Sequence, residues 1–282
     1  VLVTGASGYL GAELLRRAHA AGHELVACAR RRRPAAASAR LLDLRDARAV
    51  RALLESERPQ AVIHTAYVQD GPDAWPTNVD GSANVAIAAR AVGARLIHVS
   101  TDLVFDGEAG HPYREDDEPL PLMPYGRSKL EGERRVMAAD PSALVVRSAL
   151  LYGGSESSPH ERRALDAASG RVHAVFFCDE IRTPVALADV AAALLELLES
   201  ELAGPLHLGG PVSVSRYELA RMLVSASGRD PAALVAGSAA GLEPPRPRDC
   251  SLDSSRARSL LVTRLRSPEE VLGLAEQGKA PA

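Results

Sequence analysis

Residues 1–11 read VLVTGASGYLG. An aliphatic run meets a loop with glycine at positions 5, 8 and 11, and an alanine- and leucine-rich amphipathic stretch follows as far as Ala21. Strand, glycine turn and helix in that order let the backbone turn tightly, approach a pyrophosphate and pack the helix onto the strand. The helix amino terminus offers amides and a partial positive charge to the phosphates. Gly5, Ser7, Gly8, Tyr9, Leu10 and Gly11 are therefore the expected cradle of a dinucleotide. A turn that merely needs glycine would leave the same three letters, so the rest of the chain has to decide.

Outward from this loop the pattern repeats. ELVACAR (24–30), AVIHTA (61–66) and RLIHVST (95–101) read as strands, and 46–56 and 77–92 as helices between them. Strands alternating with helices predict right-handed crossovers and a parallel sheet covered on both faces. A helix over 125–139 and a strand in ALVVRSALLYG (143–153) complete the series. The expected fold class is α/β, a Rossmann-type doubly wound parallel sheet with a small C-terminal lobe. Residues 1–150 form the dinucleotide-binding domain in this reading. Residues 151–282 form mostly a substrate-binding lobe, with some segments returning to the first domain.

Beyond residue 151 the pattern loosens. Residues 153–159 read as a loop, RVHAVFF (171–177) as a strand, and 187–199, 214–225 and 230–236 as helices. GPLHLGG (204–210) reads as a short strand, and the proline-rich LEPPRPRDCSLD (242–253) is unsuited to regular helix. The end of the chain, EQGKAPA, is expected to fray.

The second strand ends CARRRR, with Arg30 to Arg33 where an acidic residue would hold the ribose diol of NAD. Guanidinium groups match a 2′-phosphate in charge and geometry, so NADP(H) is the expected cofactor. Arg30 and Arg31 are expected cofactor contacts, the sequence leaving open which of Arg30 to Arg33 meets the 2′-phosphate, and Asp43 and Leu44 are expected beside the adenine. Thr65, Ala66 and Tyr67 follow the third strand, although Tyr67 reads equally as a packed loop aromatic. Asn78 would bind cofactor or bridge backbones. His64 and His98 read as packed residues, and Arg147 as a structural ion-pair partner.

Lysine occurs twice in a chain full of arginine, at 129 and 279. Lys129 stands four residues after Tyr125, hence on the same face of a helix. A phenol ionises near pH 10, and a neighbouring ammonium is expected to lower that value. Arginine is bulkier and planar, and less suited to this task.

Four stretches, TGASGYLG, HVSTDLVFDG, YGRSK and RSALLYG, resemble the extended short-chain dehydrogenase/reductase family. PLMPYGRSKLEGE (121–133), IRTPVALADVA (181–191) and LHLGGPVSVSRYELA (206–220) are most similar to its dTDP-4-dehydrorhamnose reductase branch. The resemblance implies a catalytic set of Thr101, Tyr125 and Lys129, with Lys129 on the nicotinamide ribose and Ser100 close to the cofactor. It implies NADPH-dependent reduction of a keto group, at C4 of a nucleotide-activated deoxysugar. Asp102, Val104, Phe105, Arg182, Arg246 and Arg248 are the expected substrate contacts, the arginines for the diphosphate. Leu103 stands where dehydratases of this family carry an acid, so the pair needed for eliminating water is incomplete. A nucleotide-sugar epimerase and a non-catalytic NADP-binding regulatory subunit are the alternative readings. The family also implies a homodimer.

The bulk composition agrees. A net charge of −3 and 4% aromatic content give no pull toward nucleic acid. No apolar run reaches the roughly 18 residues that span a bilayer. Opening directly on a strand, the sequence predicts no leader peptide. Cys28, Cys178 and Cys250 have no metal-ligand spacing and read as buried thiols in a reducing cytoplasm, with no metal.

Overall fold

The computed structural model describes residues 1–31 and 38–274. They divide into two compact units. Residues 1–104, 124–147 and 191–206 form the first, and 105–123, 148–190 and the described residues from 207 onward the second. Arg32, Arg33 and the expected frayed end lie outside the described residues.

In chain order the first unit runs β1 (Leu2–Thr4), α1 (Tyr9–Ala20), β2 (Val26–Ala29), β3 (Ala39–Leu41), α2 (Ala47–Glu57) and β4 (Ala61–His64). One wide π turn (Pro76–Gly81) leads into α3 (Ser82–Ala91), followed by β5 (Arg95–Thr101), α4 (Pro124–Ala139) and β6 (Leu144–Ser148). Next come β7 (Leu151–Tyr152), α5 (Pro159–Ala168), β8 (Val175–Phe177), β9 (Ile181–Arg182), β10 (Val185–Ala186) and α6 (Leu187–Glu196). The chain continues through β11 (Gly204–Leu208), β12 (Val214–Ser215), α7 (Arg216–Ala226), β13 (Val235–Gly237), α8 (Ser255–Leu260) and α9 (Pro268–Val271).

Seven strands build one sheet in the order β11-β6-β5-β4-β1-β2-β3. Val3 lies opposite both Ala27 and Ile63, and His64 opposite His98, all in parallel pairings. The order grows outward from β1 in two directions, so β1 and β4 flank the point where the winding reverses. Ligands of such sheets bind at the carboxyl ends of strands beside that point. The strands read as unbroken apolar runs because helices cover them: Leu2, Val62 and Leu96 share one core with Val50, Leu54, Val85 and Val136. Each such side chain contributes about 1.5–3 kcal/mol by burial. Asp46 caps α2 by accepting from the amides of Arg48 and Ala49 at 3.0 Å each.

The second unit is built from small pairs. β7 pairs with β10 and β8 with β13 in parallel, and β9 with β12 antiparallel. Capping boxes at Ser158/Glu161, Ser215/Glu218 and Ser267/Glu270 start α5, α7 and α9.

Several elements differ from the sequence reading. The helix expected over 230–236 is one 3-10 turn, Pro231–Ala233, and then β13. Asp230 caps that turn through the Ala232 amide, and the chain leaves to pair with β8. A Cβ on Gly237 would stand 2.3 Å from Val175, so the pairing needs glycine there. The strand read over 143–153 is two, β6 and β7, and the one over 171–177 shrinks to three residues. Val214 and Ser215 form β12 ahead of α7, while β3 is a strand the sequence reading misses. Cys178 is an exposed thiol, contrary to expectation, whereas Cys28 and Cys250 are buried. Among the described residues no helix is long and apolar enough to cross a membrane.

Candidate active site

The glycine loop is shaped by close backbone approaches. Gly5 has φ +68°, and a Cβ there would stand 2.7 Å from the backbone of Ala66. A Cβ on Gly11 would stand 2.3 Å from the Gly5 carbonyl oxygen, which already accepts from the Gly8 amide at 2.8 Å. The loop is thus held against β4 and the first turn of α1. That helix begins at Gly8 without a side-chain cap and with no acidic residue in its first turn, leaving its positive end suited to an anion.

Beside the loop lies a cavity of about 240 Å³. Thr4, Gly5 and Ser7 line it from β1 and the glycine loop, Cys28 to Arg31 from the end of β2, and Leu42, Asp43 and Leu44 from the segment after β3. Ala66, Tyr67, Val68 and Thr77 complete it. Arg30 is mostly buried, with its side chain 24% exposed and Nη1 3.0 Å from Asp73; Arg31 is 80% exposed and 3.6 Å from the same carboxylate. Arg45 closes the cluster, bonding Asp73 at 2.6 Å and clasping Asp43 with Nε and Nη2. That clasp holds the Asp43 carboxyl below its usual range. Sequence reasoning misses Asp73 and Arg45, because nothing in GPDAWPTN marks a partner some forty residues away in the chain.

Asn78 bridges a loop backbone and a helix side chain, not helix and strand backbones. Its amide exchanges two 2.8 Å hydrogen bonds with Val68 and donates to the Ser128 hydroxyl at 2.9 Å. This ties the segment after β4 to α4. Gly132 lets α4 approach, since a Cβ there would stand 2.4 Å from the Asn78 carbonyl oxygen.

Thr101 ends β5 and Tyr125 opens α4. Thr101 Oγ1 donates to Asp102 at 3.0 Å and accepts from the Leu103 amide at 3.2 Å. Burial pushes the Tyr125 phenol well above its ordinary pKa; the charges of Tyr67 and Asp102 add to this, and a side-chain hydrogen bond with Thr101 opposes it. The lowering expected from Lys129 does not occur. Lys129, 2% exposed, directs its ammonium to the Val99 carbonyl oxygen at 2.8 Å. Burial lowers its pKa to about 8, with Glu133 acting in the opposite sense. Tyr67 is 56% exposed and not packed away; its ring lies 5.7 Å from that of Tyr125, linking the cavity to the phenol. The Ser100 hydroxyl is buried and has no partner among the described residues.

His64 and His98 are core residues, their rings 5.0 Å apart. His64 bonds Thr4 at 2.6 Å and Ser82 at 3.0 Å, while burial drops its pKa to about 3, with Lys129 adding. Arg147 is indeed an ion-pair partner, meeting buried Glu133 at 2.9 Å.

Of the six expected substrate contacts, Asp102 and Val104 lie in the short turn that follows β5 and are buried. Phe105 is also buried, stacked on Tyr113 with ring centroids 4.0 Å apart. Arg182 is buried and donates to the carbonyl oxygens of Ile181, Pro247 and Arg248. Arg246 pairs with Glu180 and lies over the Phe177 ring. Arg248 is exposed. Together these residues give the second unit a cluster of guanidinium groups around 180–182 and 246–248.

Thr101, Tyr125 and Lys129 can do the work of a proton donor set: an activated hydroxyl to hold a carbonyl oxygen, a loaded phenol and a buried cation. The glycine loop and Arg30 fit a phosphorylated dinucleotide. Comparison with known proteins agrees. The chain is 35% identical to dTDP-4-dehydrorhamnose reductase of Mycolicibacterium smegmatis over 285 residues, covering 96% of this chain and 83% of the relative. It is 34% identical to methionine adenosyltransferase 2 subunit beta of Pongo abelii, covering 92% and 82%. Its fold matches the crystal structure of dTDP-4-dehydrorhamnose reductase from Bacillus anthracis in complex with NADP, with TM-score 0.84, 25% identity and coverage of 99% and 98%. Residues 1–276 match the RmlD substrate binding domain, and the chain belongs to that family.

Proposed function

We propose that this chain is an NADPH-dependent oxidoreductase that reduces the C4 keto group of a nucleotide-activated deoxysugar, in the manner of dTDP-4-dehydrorhamnose reductase. One observation carries the reading: the buried ammonium of Lys129 and the protonated phenol of Tyr125 stand one helical turn apart, and the Tyr125 ring neighbours that of Tyr67, which lines the cavity beside the glycine loop. Bound NADPH would supply the hydride. The glycine loop and the amino end of α1 hold the diphosphate, and Arg30 and Arg31 the 2′-phosphate. Thr101 hydrogen-bonds the keto oxygen, and Tyr125 delivers a proton to that oxygen as negative charge develops on it. Lys129 binds the nicotinamide ribose and stabilises the phenolate left behind. The second unit, with Arg246 and Arg248, takes the nucleotide diphosphate, while Arg182 braces the 247–248 backbone beside them. The reading places the enzyme in a reducing cytoplasm and assigns it a homodimer, to be checked by sedimentation.

The test is NADPH consumption with a panel of nucleotide-linked 4-keto sugars. The wild type consumes cofactor in proportion to substrate. Cofactor that cycles without net consumption marks an epimerase. Tight NADPH binding with no turnover on any sugar marks a binding subunit.

A further inference from the structure

Glu133 is 0% exposed and sits one turn after Lys129 on α4. Its carboxylate is gripped by Arg147 from β6, with Nε 3.2 Å from both oxygens and Nη2 2.9 Å from Oε2. A buried ion pair is weak evidence for stability, because desolvation offsets the attraction and apolar residues of the same volume do as well. This pair calls for another explanation, and the neighbouring lysine offers one.

The charges around Lys129 come from every element packed against it. On its own helix stand neutral Tyr125, buried Glu133, half-buried Glu131 and the exposed Arg127, Arg134 and Arg135, and α3, packed along α4, brings exposed Arg90, which bonds the Ala139 carbonyl oxygen. β4 and β5 bring His64 and His98, both kept neutral because burial holds their pKa values down. β6 brings Arg147, spent on Glu133. The turn after β5 brings Asp102, which acts on Tyr125, and the π turn brings Asp80, exposed and 3.7 Å from Arg135. Glu133 is thus the carboxylate fixed next to Lys129 along α4, at the i, i+4 spacing that brings helical side chains together.

Resting on the reading that Lys129 serves the reaction, we propose that Glu133 is a positioning residue for it: its carboxylate, aimed by Arg147, keeps the buried Lys129 ammonium charged at neutral pH. Burial alone disfavours the charged amine. The carboxylate counters this along the helix face, and Arg147 holds it there. Removing only the carboxylate charge takes that counterweight away, so the amine gives up its proton at lower pH.

The experiment is the pH profile of kcat/KM for NADPH-dependent reduction by the full chain, from about pH 6 to 10, in wild type, Glu133→Gln, Glu133→Gln/Arg147→Gln and Lys129→Met. The wild type should lose activity as pH rises through about 8; Tyr125, held well above its usual value, titrates outside that limb. In Glu133→Gln the alkaline limb should move down by about one to two pH units, as loss of a nearby opposite charge dictates, and activity lost at pH 8 should return on acidification. The double variant, free of a stranded arginine, should fold and shift the limb in the same direction. If Glu133→Gln does not fold, the double variant decides. An alkaline limb unmoved in both variants, with only the plateau lowered, overturns the proposal and leaves the pair a structural one. Wild-type turnover in Lys129→Met would instead overturn the reading of Lys129 in the reaction, so the two failures are distinguishable.

Discussion

Replacing Arg30 with alanine should separate NADPH from NADH. A charge-assisted hydrogen bond contributes about 1.5–3 kcal/mol when its environment is partly desolvated. Arg30 meets that condition, with only 24% of its side chain exposed and Nη1 fixed 3.0 Å from Asp73. At 1.4 kcal/mol per tenfold, its loss should weaken NADPH by about 10- to 100-fold. The upper part of that range is tempered by Asp73, which shares the guanidinium with the incoming phosphate. Arg31 is 80% exposed and 3.6 Å from Asp73; screened by solvent, its removal should cost less than about 1 kcal/mol, or under about fivefold. NADH has no 2′-phosphate and should change by less than about twofold in either variant. Titration calorimetry with both cofactors at low and high salt measures this directly, since the Arg31 effect should fade with ionic strength and the Arg30 effect should persist. Equal losses for NADH and NADPH, or a larger effect at Arg31 than at Arg30, would refute the assignment.

Tyr125→Phe should reduce kcat by about 10²- to 10⁴-fold, the span of general acid catalysis, while NADPH affinity stays within about twofold; wild-type turnover would end the acid role. Gly11→Ala places a methyl 2.3 Å from the Gly5 carbonyl oxygen, so it should lower stability by about 1–3 kcal/mol and weaken NADPH together with it; an unchanged melting temperature and Kd would show that the cradle is looser than its geometry. Acidification should weaken the fold before its carboxylates titrate. His64 and His160 have folded pKa values near 3, lowered chiefly by burial, so the unfolded chain binds more protons below pH 6.5. Their stabilising contribution is complete above that pH and is lost as pH falls, by about 2 kcal/mol each at pH 5. Denaturant midpoints that agree at pH 7 and pH 5 would contradict this.

The sheet was legible because its strands are buried on both faces and separated by amphipathic helices, so composition and periodicity agree from residue 1 to Arg147. Gly5 and Gly11 were legible because backbone contacts exclude any other residue. What the sequence hides is pairing at a distance. β3 is three residues long and recognisable only through its partner β2. Asp230–Ala236 has helical letters, yet Val235 and Ala236 are claimed by β8. Asp73 and Arg45 are ordinary surface letters until the fold gathers them around Arg30. Glu133 was within reach, since its spacing from Lys129 equals that of Lys129 from Tyr125. Arg182 illustrates the opposite case: a motif position suggests a substrate contact, and the structure spends the side chain on backbone carbonyls.

The protonation of the site runs against the simplest use of a Tyr-x-x-x-Lys pair, and the direction of the reaction explains why. Lysine lowering the phenol would suit a base that removes a proton from an alcohol. Reduction needs the reverse: a donor that still carries its proton when hydride arrives. Tyr125 is protonated at neutral pH like any phenol, and burial pushes it further that way; the alkoxide it meets is a far stronger base than a phenolate, so transfer remains downhill. The difficulty then shifts to the product, a phenolate in a buried site. Lys129 is useful at that moment, provided it is still an ammonium, and with a pKa of about 8 it holds its charge by a narrow margin. Burial therefore does two opposed things within one helical turn. It loads the acid, and it threatens the cation that must stabilise the conjugate base. A reductase built this way needs an anion beside the lysine, and the next turn of α4 supplies one.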